Sequence, residues 1–138
     1  MVTATEAVSQ GRRARNDRNF PEARAHYAEA AKSYRNENDS LAYAHTIRHI
    51  ADIYRQESNF AEAKPLYEES LELYRSNLDT KLLDLANTVR PYALLNEEQG
   101  NSDLARKLWE EAKNLYGSLR VDAGISECEA HLVQLKQA

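Results

Sequence analysis

Two histidines and an arginine lie close together near the middle of the chain, at His45, Arg48 and His49. On a helix the two imidazoles would stand one turn apart, a spacing that can bind a metal ion from one face. The residues between them lack the glutamate of a zinc protease motif, Arg48 repels cations, and no third ligand is evident. The sequence therefore predicts no metal site. Arginine with histidine favours a carboxylate instead, which a guanidinium can hold through two parallel hydrogen bonds.

The rest of the sequence carries no pattern typical of catalysis or of a cofactor. It contains no phosphate-binding glycine loop, no nucleophile with an adjacent base and no dinucleotide fingerprint. The lone cysteine, Cys128, has no neighbouring group that would lower its pKa, so it is predicted to be a small buried hydrophobe. We expect a protein that is not an enzyme and that needs no cofactor.

The charge balance restricts the class of partner. The formal net charge is −4, whereas general binders of nucleic acids or anionic membranes usually carry a basic excess. One basic cluster, comprising Arg12, Arg13, Arg15 and Arg18, stands at the end of the first predicted helix, where the helix dipole is a sufficient reason for it. We expect neither a nucleic acid nor a membrane as the partner.

The sequence also favours a cytoplasmic location. A single cysteine excludes an intramolecular disulfide framework, and a reducing compartment is the simpler assumption. The first residues lack a basic region followed by an apolar run, and no stretch approaches the roughly 20 apolar residues that span a bilayer.

An internal repeat organises the chain into helical hairpins. Ala63 follows Ala23 by 40 residues, and Ala105 follows Ala63 by 42. Aromatic residues keep the same register and are spaced by seven residues within each unit, which puts them on one helical face. These aromatic residues, predicted to be core, are Tyr27 and Tyr34, Tyr67 and Tyr74, and Trp109 and Tyr116. The predicted helices are 3–17, 20–36, 40–57, 60–76, 80–99, 102–116 and 120–136.

Polar residues stand where the helices are predicted to begin. Asn19, Asn59 and Asn101 precede the second helix of each hairpin, where an asparagine side chain can accept a hydrogen bond from an unpaired backbone N–H. Thr3 with Glu6 has the spacing of a capping box. The caps predicted for the first helices of the second and third hairpins are Asp39 or Ser40 and Asp79 or Thr80.

The repeat resembles the tetratricopeptide signature. In each unit a small residue is followed after twelve positions by Ala, then after four by an aromatic residue, and after three by another small residue. The signature is carried by Gly11/Ala23/Tyr27/Ala30, Ala51/Ala63/Tyr67/Ser70 and Ala93/Ala105/Trp109/Ala112. It covers about residues 4–117, and its period is similar to the longer variant found in kinesin light chains. The Trp and Leu expected early in the first helix are replaced, and the Pro expected after the second helix is absent.

The resemblance implies an all-α fold, a superhelix in which stacked hairpins share one hydrophobic interior. The chain would form a single domain, 1–138, with repeats at about 4–37, 40–77 and 80–117. A capping helix at about 120–136 would cover the third hairpin. Its apolar stripe is Val121, Ile125, Cys128, Leu132 and Leu135.

The resemblance also implies that the first helix of each hairpin lines a concave groove in which partners lie. The resulting hypothesis is an adaptor or scaffold that binds a peptide or helix of another protein, and Arg48 with Arg90 favours an acidic one. Solvated or internally paired charges, such as Asp52 with Arg55, are the alternative reading of the same residues. By register, the groove residues are Arg12, Arg15, His45, Arg48, His49, Asp52, Arg55, Asn87 and Arg90.

Two further features bear on how a partner would bind. The carboxylate-clamp subgroup of the family needs Lys and Asn at set positions of the groove. Here those positions hold residues such as Val8 and Arg12, so we do not predict a carboxylate clamp in this chain. A helical array has two terminal faces, and a homodimer formed through the terminal helices is the alternative function.

Overall fold

The computed structural model describes residues 2–137, and within this range the chain forms seven α-helices and no strand. The all-α prediction is confirmed, and the helix ends lie within three residues of the predicted ones. The helices are α1 Ala4–Asn16, α2 Phe20–Asn36, α3 Ser40–Gln56, α4 Phe60–Arg75, α5 Leu82–Glu98, α6 Ser102–Leu119 and α7 Asp122–Gln137. None of the helices in this range is both long and apolar enough to cross a membrane.

The helices fall into two compact units, one ending at Asn77 and the other beginning at Leu78. In the first unit α1 packs against α2, α2 against α3, and α3 against α4. In the second unit α5 packs against α6, and α6 against α7. Each unit therefore contains the hairpins that the repeat predicts, and α7 lies beside α6 as the predicted capping helix does. That the chain is a single domain stays a prediction.

Small residues let the helices of the first unit approach each other closely. Ala7 and Gly11 on α1 are buried, as is Ala23 on α2. A Cβ atom placed on Gly11 would lie 2.9 Å from the ring of Tyr27, so the glycine makes room for that ring. The aromatic ring of one helix is thus seated against a small residue of its neighbour.

The aromatic residues of the repeat form much of the interior of both units. Five of the six are buried, and Tyr34 is half-buried at a small surface cavity. Cys128 is fully buried on α7, as predicted, and burial raises the pKa of its thiol to about 11. The five buried aromatic residues are Tyr27, Tyr67, Tyr74, Trp109 and Tyr116.

Two of the predicted helix caps form as expected. The Glu6 N–H donates to Thr3 Oγ1 at 3.1 Å, and the Thr3 N–H donates to a Glu6 carboxylate oxygen at 3.4 Å. This pair is the predicted capping box at the start of α1. At the start of α3, the Ala42 N–H donates to Asp39 Oδ1 at 3.1 Å.

The prediction for the asparagines is correct in position and wrong in mechanism. Asn19, Asn59 and Asn101 are the N-caps of α2, α4 and α6, but none of their side chains accepts a backbone hydrogen bond there. Asn19 Nδ2 instead donates to a carboxylate oxygen of Glu22 at 2.6 Å. The cap predicted at Asp79 or Thr80 is also wrong, because α5 begins after Lys81 as its N-cap residue.

The shape of the turns explains this outcome. Arg18, Asn38, Ser58 and Gly100, each one residue before an N-cap, have a positive φ. The next backbone N–H then reaches back to the preceding helix, as from Asn19 to the carbonyl of Ala14 at 2.8 Å. This is the Schellman arrangement. The N-cap residue therefore links two helices through its backbone, and its side chain is not needed to close the turn.

The positive φ angles predict opposite effects for two substitutions. Ser58→Gly should raise the free energy of unfolding by about 0.5 to 1 kcal/mol, because a left-handed backbone is strained for a residue with a Cβ. Gly100→Ala should lower it by about 1 kcal/mol, although a Cβ there would meet nothing within 4 Å. Urea denaturation followed by circular dichroism measures both. Two changes of the same sign would contradict this description of the turns.

Candidate functional site

Two stacked rings lie at the centre of the predicted binding residues of the first unit. The ring of His49 on α3 stacks on that of Tyr27 on α2, with centroids 5.3 Å apart and planes within 7°. The ring of His45 meets His49 edge-on at 4.6 Å. Arg15 of α1 donates from Nε to the side-chain oxygen of Gln56 on α3 at 3.0 Å, which ties these two helices together.

Three arginines act on these rings and form what we call the arginine cluster: Arg12, Arg15 and Arg48. Burial is the main reason that the pKa of His49 falls from 6.5 to about 2, and the charges of all three arginines lower it further, together with that of His45. The same three charges oppose the rise that burial causes in the pKa of Tyr27. His49 is therefore neutral near pH 7, and the positive charge of this face belongs to the arginines.

Asp52 balances part of this charge, and it acts on Tyr27 in the direction opposite to the arginines. Arg48 Nη1 lies 2.9 Å from Asp52 Oδ2, and the two side chains are only 15% and 7% exposed. The hydroxyl of Tyr67 donates to the other oxygen, Oδ1, at 2.5 Å. Burial, followed by the charge of Asp52, raises the pKa of Tyr67. The carboxylate is thus held on both sides.

Other polar atoms of the cluster are not satisfied within the described chain. Arg48 Nε and His49 Nδ1 are buried and have no hydrogen-bond partner among residues 2–137. Over the same range Arg12 makes no ion pair, and the bond of Arg15 to Gln56 is to a neutral amide. Leaving a buried polar atom unpaired costs roughly 1 to 3 kcal/mol. Neither atom is open to solvent, so a ligand bound beside the cluster would offset part of this cost through its negative charge.

The remaining predicted residues of the first unit lie beside the cluster. Arg55 Nε donates to the hydroxyl of Tyr67 at 3.4 Å, so Arg55 belongs to the network that surrounds Asp52. His45 contacts His49 as described above. The structure therefore brings the predicted residues of α1 and α3 into one group, with the arginine cluster as its charged part.

In the second unit the predicted binding residues already have partners within the chain. Arg90 donates from Nε and Nη2 to the two carboxylate oxygens of Glu127 on α7, at 2.5 and 2.8 Å. These bonds lower the pKa of Glu127, whereas its partial burial acts in the opposite direction. The hydroxyl of Tyr116 donates to Asn87 Oδ1 at 2.7 Å. Arg90 thus holds a carboxylate in the geometry expected for an acidic ligand, but the carboxylate is internal.

A second imidazole stacked on an aromatic ring was not predicted. The rings of Trp109 and His131 are 4.1 Å apart and within 11° of parallel, and His131 Nδ1 lies 2.9 Å from a Glu97 oxygen. The histidine follows the aromatic residue by 22 residues here, and His49 follows Tyr27 by the same interval. This shared interval is the feature of the sequence from which the second stacked pair could have been predicted. The stacked pair is therefore a packing feature of the repeat, and the surrounding arginines distinguish the first unit.

Metal binding finds no support in the described part of the chain, which contains no group of three or more His, Cys, Asp or Glu side chains that could hold an ion. His45 and His49 face each other edge-on, and an arginine charge lies beside them. The site can form hydrogen bonds and ion pairs with an anion, and this is the chemistry that its groups support.

Comparison with known families agrees with the repeat and its geometry. The tetratricopeptide repeat family matches residues 11–76, a span that contains the whole arginine cluster. No curated protein matches the chain. Tetratricopeptide repeats generally act as non-enzymatic modules for protein–protein interaction and scaffolding. The period of 40 to 42 residues is consistent with the longer variant of the repeat. The matched span and the paired helices together support a tetratricopeptide repeat protein.

Proposed function

We propose that this protein is a cytoplasmic adaptor or scaffold, without catalytic activity, that binds an acidic peptide or helix of another protein. The binding surface is the face of α1 and α3 that carries the arginine cluster. The observation that carries this proposal is that Asp52 pairs with Arg48, whereas Arg15 bonds only to a neutral amide and Arg12 makes no ion pair within residues 2–137.

The donors of the cluster suit an acidic side chain. Arg15 uses Nε for Gln56, which leaves the two terminal nitrogens of its guanidinium for a carboxylate. Arg48 uses Nη1 for Asp52, and its Nε is buried without a partner in the described chain. An incoming carboxylate would add a charge of the opposite sign beside this buried guanidinium.

The same charges favour a protein over a nucleic acid as the partner. The chain as a whole is acidic, with a formal net charge of −4, so the arginine cluster is a local exception. A nucleic acid would meet repulsion from the rest of the surface, whereas a short acidic segment needs only the local patch.

The role of the second unit in this proposal is secondary. Asn87 and Arg90 stay predicted contacts of the partner. The guanidinium of Arg90, however, already donates two hydrogen bonds to Glu127. A ligand would have to displace this carboxylate before it could use the guanidinium. We therefore assign the main part of the binding energy to the arginine cluster.

The first test measures binding of a fluorescent ten-residue glutamate peptide by anisotropy at low salt. Replacing Arg12 and Arg15 together by Gln should weaken binding about tenfold, because two charge-assisted interactions are lost. Both side chains lie at the surface or half-buried, so the fold should be retained.

A double variant with the same change in net charge is the control. Arg13→Gln with Lys32→Gln alters two exposed residues outside the cluster and should leave the affinity within twofold of wild type. Equal losses in the two double variants would show a non-specific charge effect and contradict the proposed site.

Self-association is the second candidate, and a surface of the second unit favours it. α6 and α7 border a cavity of about 450 Å³ that contains the half-exposed Val133 and Leu132. Lys113 and Glu129 stand at this cavity, and charges of both signs on one patch suit two-fold pairing with a second copy. Light scattering after gel filtration tests this candidate: a dimer that Val133→Lys dissociates supports it, and a monomer excludes it.

A further inference from the structure

The arginine cluster carries more positive charge than one carboxylate can balance. Arg48 is paired with Asp52 at 2.9 Å, whereas Arg15 bonds to the neutral amide of Gln56 and Arg12 makes no ion pair within residues 2–137. His49 is neutral because of its burial. The local charge is therefore about two positive units. A phosphorylated side chain carries about −1.5 to −2 at neutral pH, whereas a glutamate carries one negative unit.

The arginines of the cluster lie on two different helices. Arg12 and Arg15 belong to α1, and Arg48 belongs to α3. Arg15 bonds to Gln56 through Nε, which leaves its two terminal nitrogens as donors. A carboxylate offers two oxygens in one plane, but a phosphate monoester offers three terminal oxygens around a tetrahedral centre. Arg48 is already paired with Asp52, so the phosphate group would accept mainly from Arg12 and Arg15, which lie three residues apart on α1.

We propose that the acidic group that this surface binds is a phosphorylated side chain of the partner protein. This inference rests on the proposed function, because it uses the same surface of α1 and α3. It adds a means of regulation: the partner binds when it is phosphorylated and is released when the phosphate is removed.

Three fluorescent peptides test the proposal, each with eight residues of Gly and Ala around one central position. The central residue is phosphoserine, glutamate or serine. We expect the phosphoserine peptide to bind at least about tenfold more tightly than the glutamate peptide, because the added charge and third oxygen engage a further arginine. The serine peptide should not bind. Inorganic phosphate should compete with the phosphoserine peptide.

The Arg12→Gln, Arg15→Gln double variant should lose the preference for phosphoserine, and the Arg13→Gln, Lys32→Gln control should keep it. Circular dichroism of both variants checks that they are folded. Equal affinity for the phosphoserine and glutamate peptides would overturn this inference and leave the proposed function standing. If neither peptide binds, this inference is overturned, and the ten-residue glutamate peptide decides the proposed function separately. A preference for phosphoserine that survives in the Arg12→Gln, Arg15→Gln variant would also overturn it, because the phosphate would then bind elsewhere.

Discussion

Replacing Asp52 by Asn should lower the free energy of unfolding by about 3 kcal/mol and at the same time strengthen the binding of an acidic peptide. The side-chain amide keeps the shape of Asp52 and can still accept from the Tyr67 hydroxyl. It no longer balances Arg48, whose side chain is only 15% exposed, so a buried charge is left without its partner. The folded protein loses stability, but the arginine cluster gains one unit of net positive charge.

Urea denaturation measures the first effect, and anisotropy with the glutamate peptide measures the second, for which we expect threefold to tenfold tighter binding. The matched control is Asp103→Asn, because Asp103 pairs with Arg106 at the surface, where its side chain is 94% exposed. This change should cost less than about 0.5 kcal/mol and leave the affinity unchanged. A loss of stability in the Asp52 variant with unchanged affinity would show that Arg48 lies outside the binding surface.

Gly124→Ala should destabilise the chain by about 2 kcal/mol. A Cβ atom at this position of α7 would lie 2.5 to 2.8 Å from ring atoms of Tyr116 on α6, much closer than carbon atoms can approach. The ring cannot easily move aside, because it is buried and its hydroxyl is bonded to Asn87. α7 must therefore shift away from α6, and this cost exceeds the gain of about 1 kcal/mol that alanine brings to a helix.

Gly117→Ala is the control for this substitution. Gly117 also lies in a helix of the second unit, but a Cβ there would meet nothing within 4 Å. Only the higher helix propensity of alanine then acts, and we expect the free energy of unfolding to rise by about 0.5 to 1 kcal/mol. Chemical denaturation of the two variants gives both values. Destabilisation by both, or by neither, would contradict the described packing of α7 on α6.

The helices and their buried faces could be predicted because the same pattern of residues occurs in three successive units. A single Tyr or Ala is weak evidence, but Tyr27, Tyr67 and Trp109 at matched positions show which face of each second helix is buried. The turns could not be predicted in the same way. A positive φ at Arg18 or Ser58 arises from the backbone bonds that join two helices, and neither residue type signals it.

The candidate site shows a similar division. Register placed His45, Arg48, His49 and Asp52 on one helix, and the structure brings them together with α1. The pairing of the charges was open, because helical spacing allows Asp52 to reach Arg48 or Arg55. The bonds between Arg90 and Glu127 join residues 37 positions apart on different helices, so only the packing of the second unit reveals them.

The most direct test of the central claim is a titration of the ¹⁵N-labelled protein with the glutamate peptide, followed through the Nε–Hε signals of the arginine side chains. A carboxylate bound at the arginine cluster should change the electrostatic environment of these protons, including that of the buried Nε of Arg48. We predict that the signals of Arg48, Arg12 and Arg15 shift in a saturable manner, while that of the exposed Arg13 stays in place. Saturable shifts elsewhere in the chain, with the arginine cluster unaffected, would contradict this account.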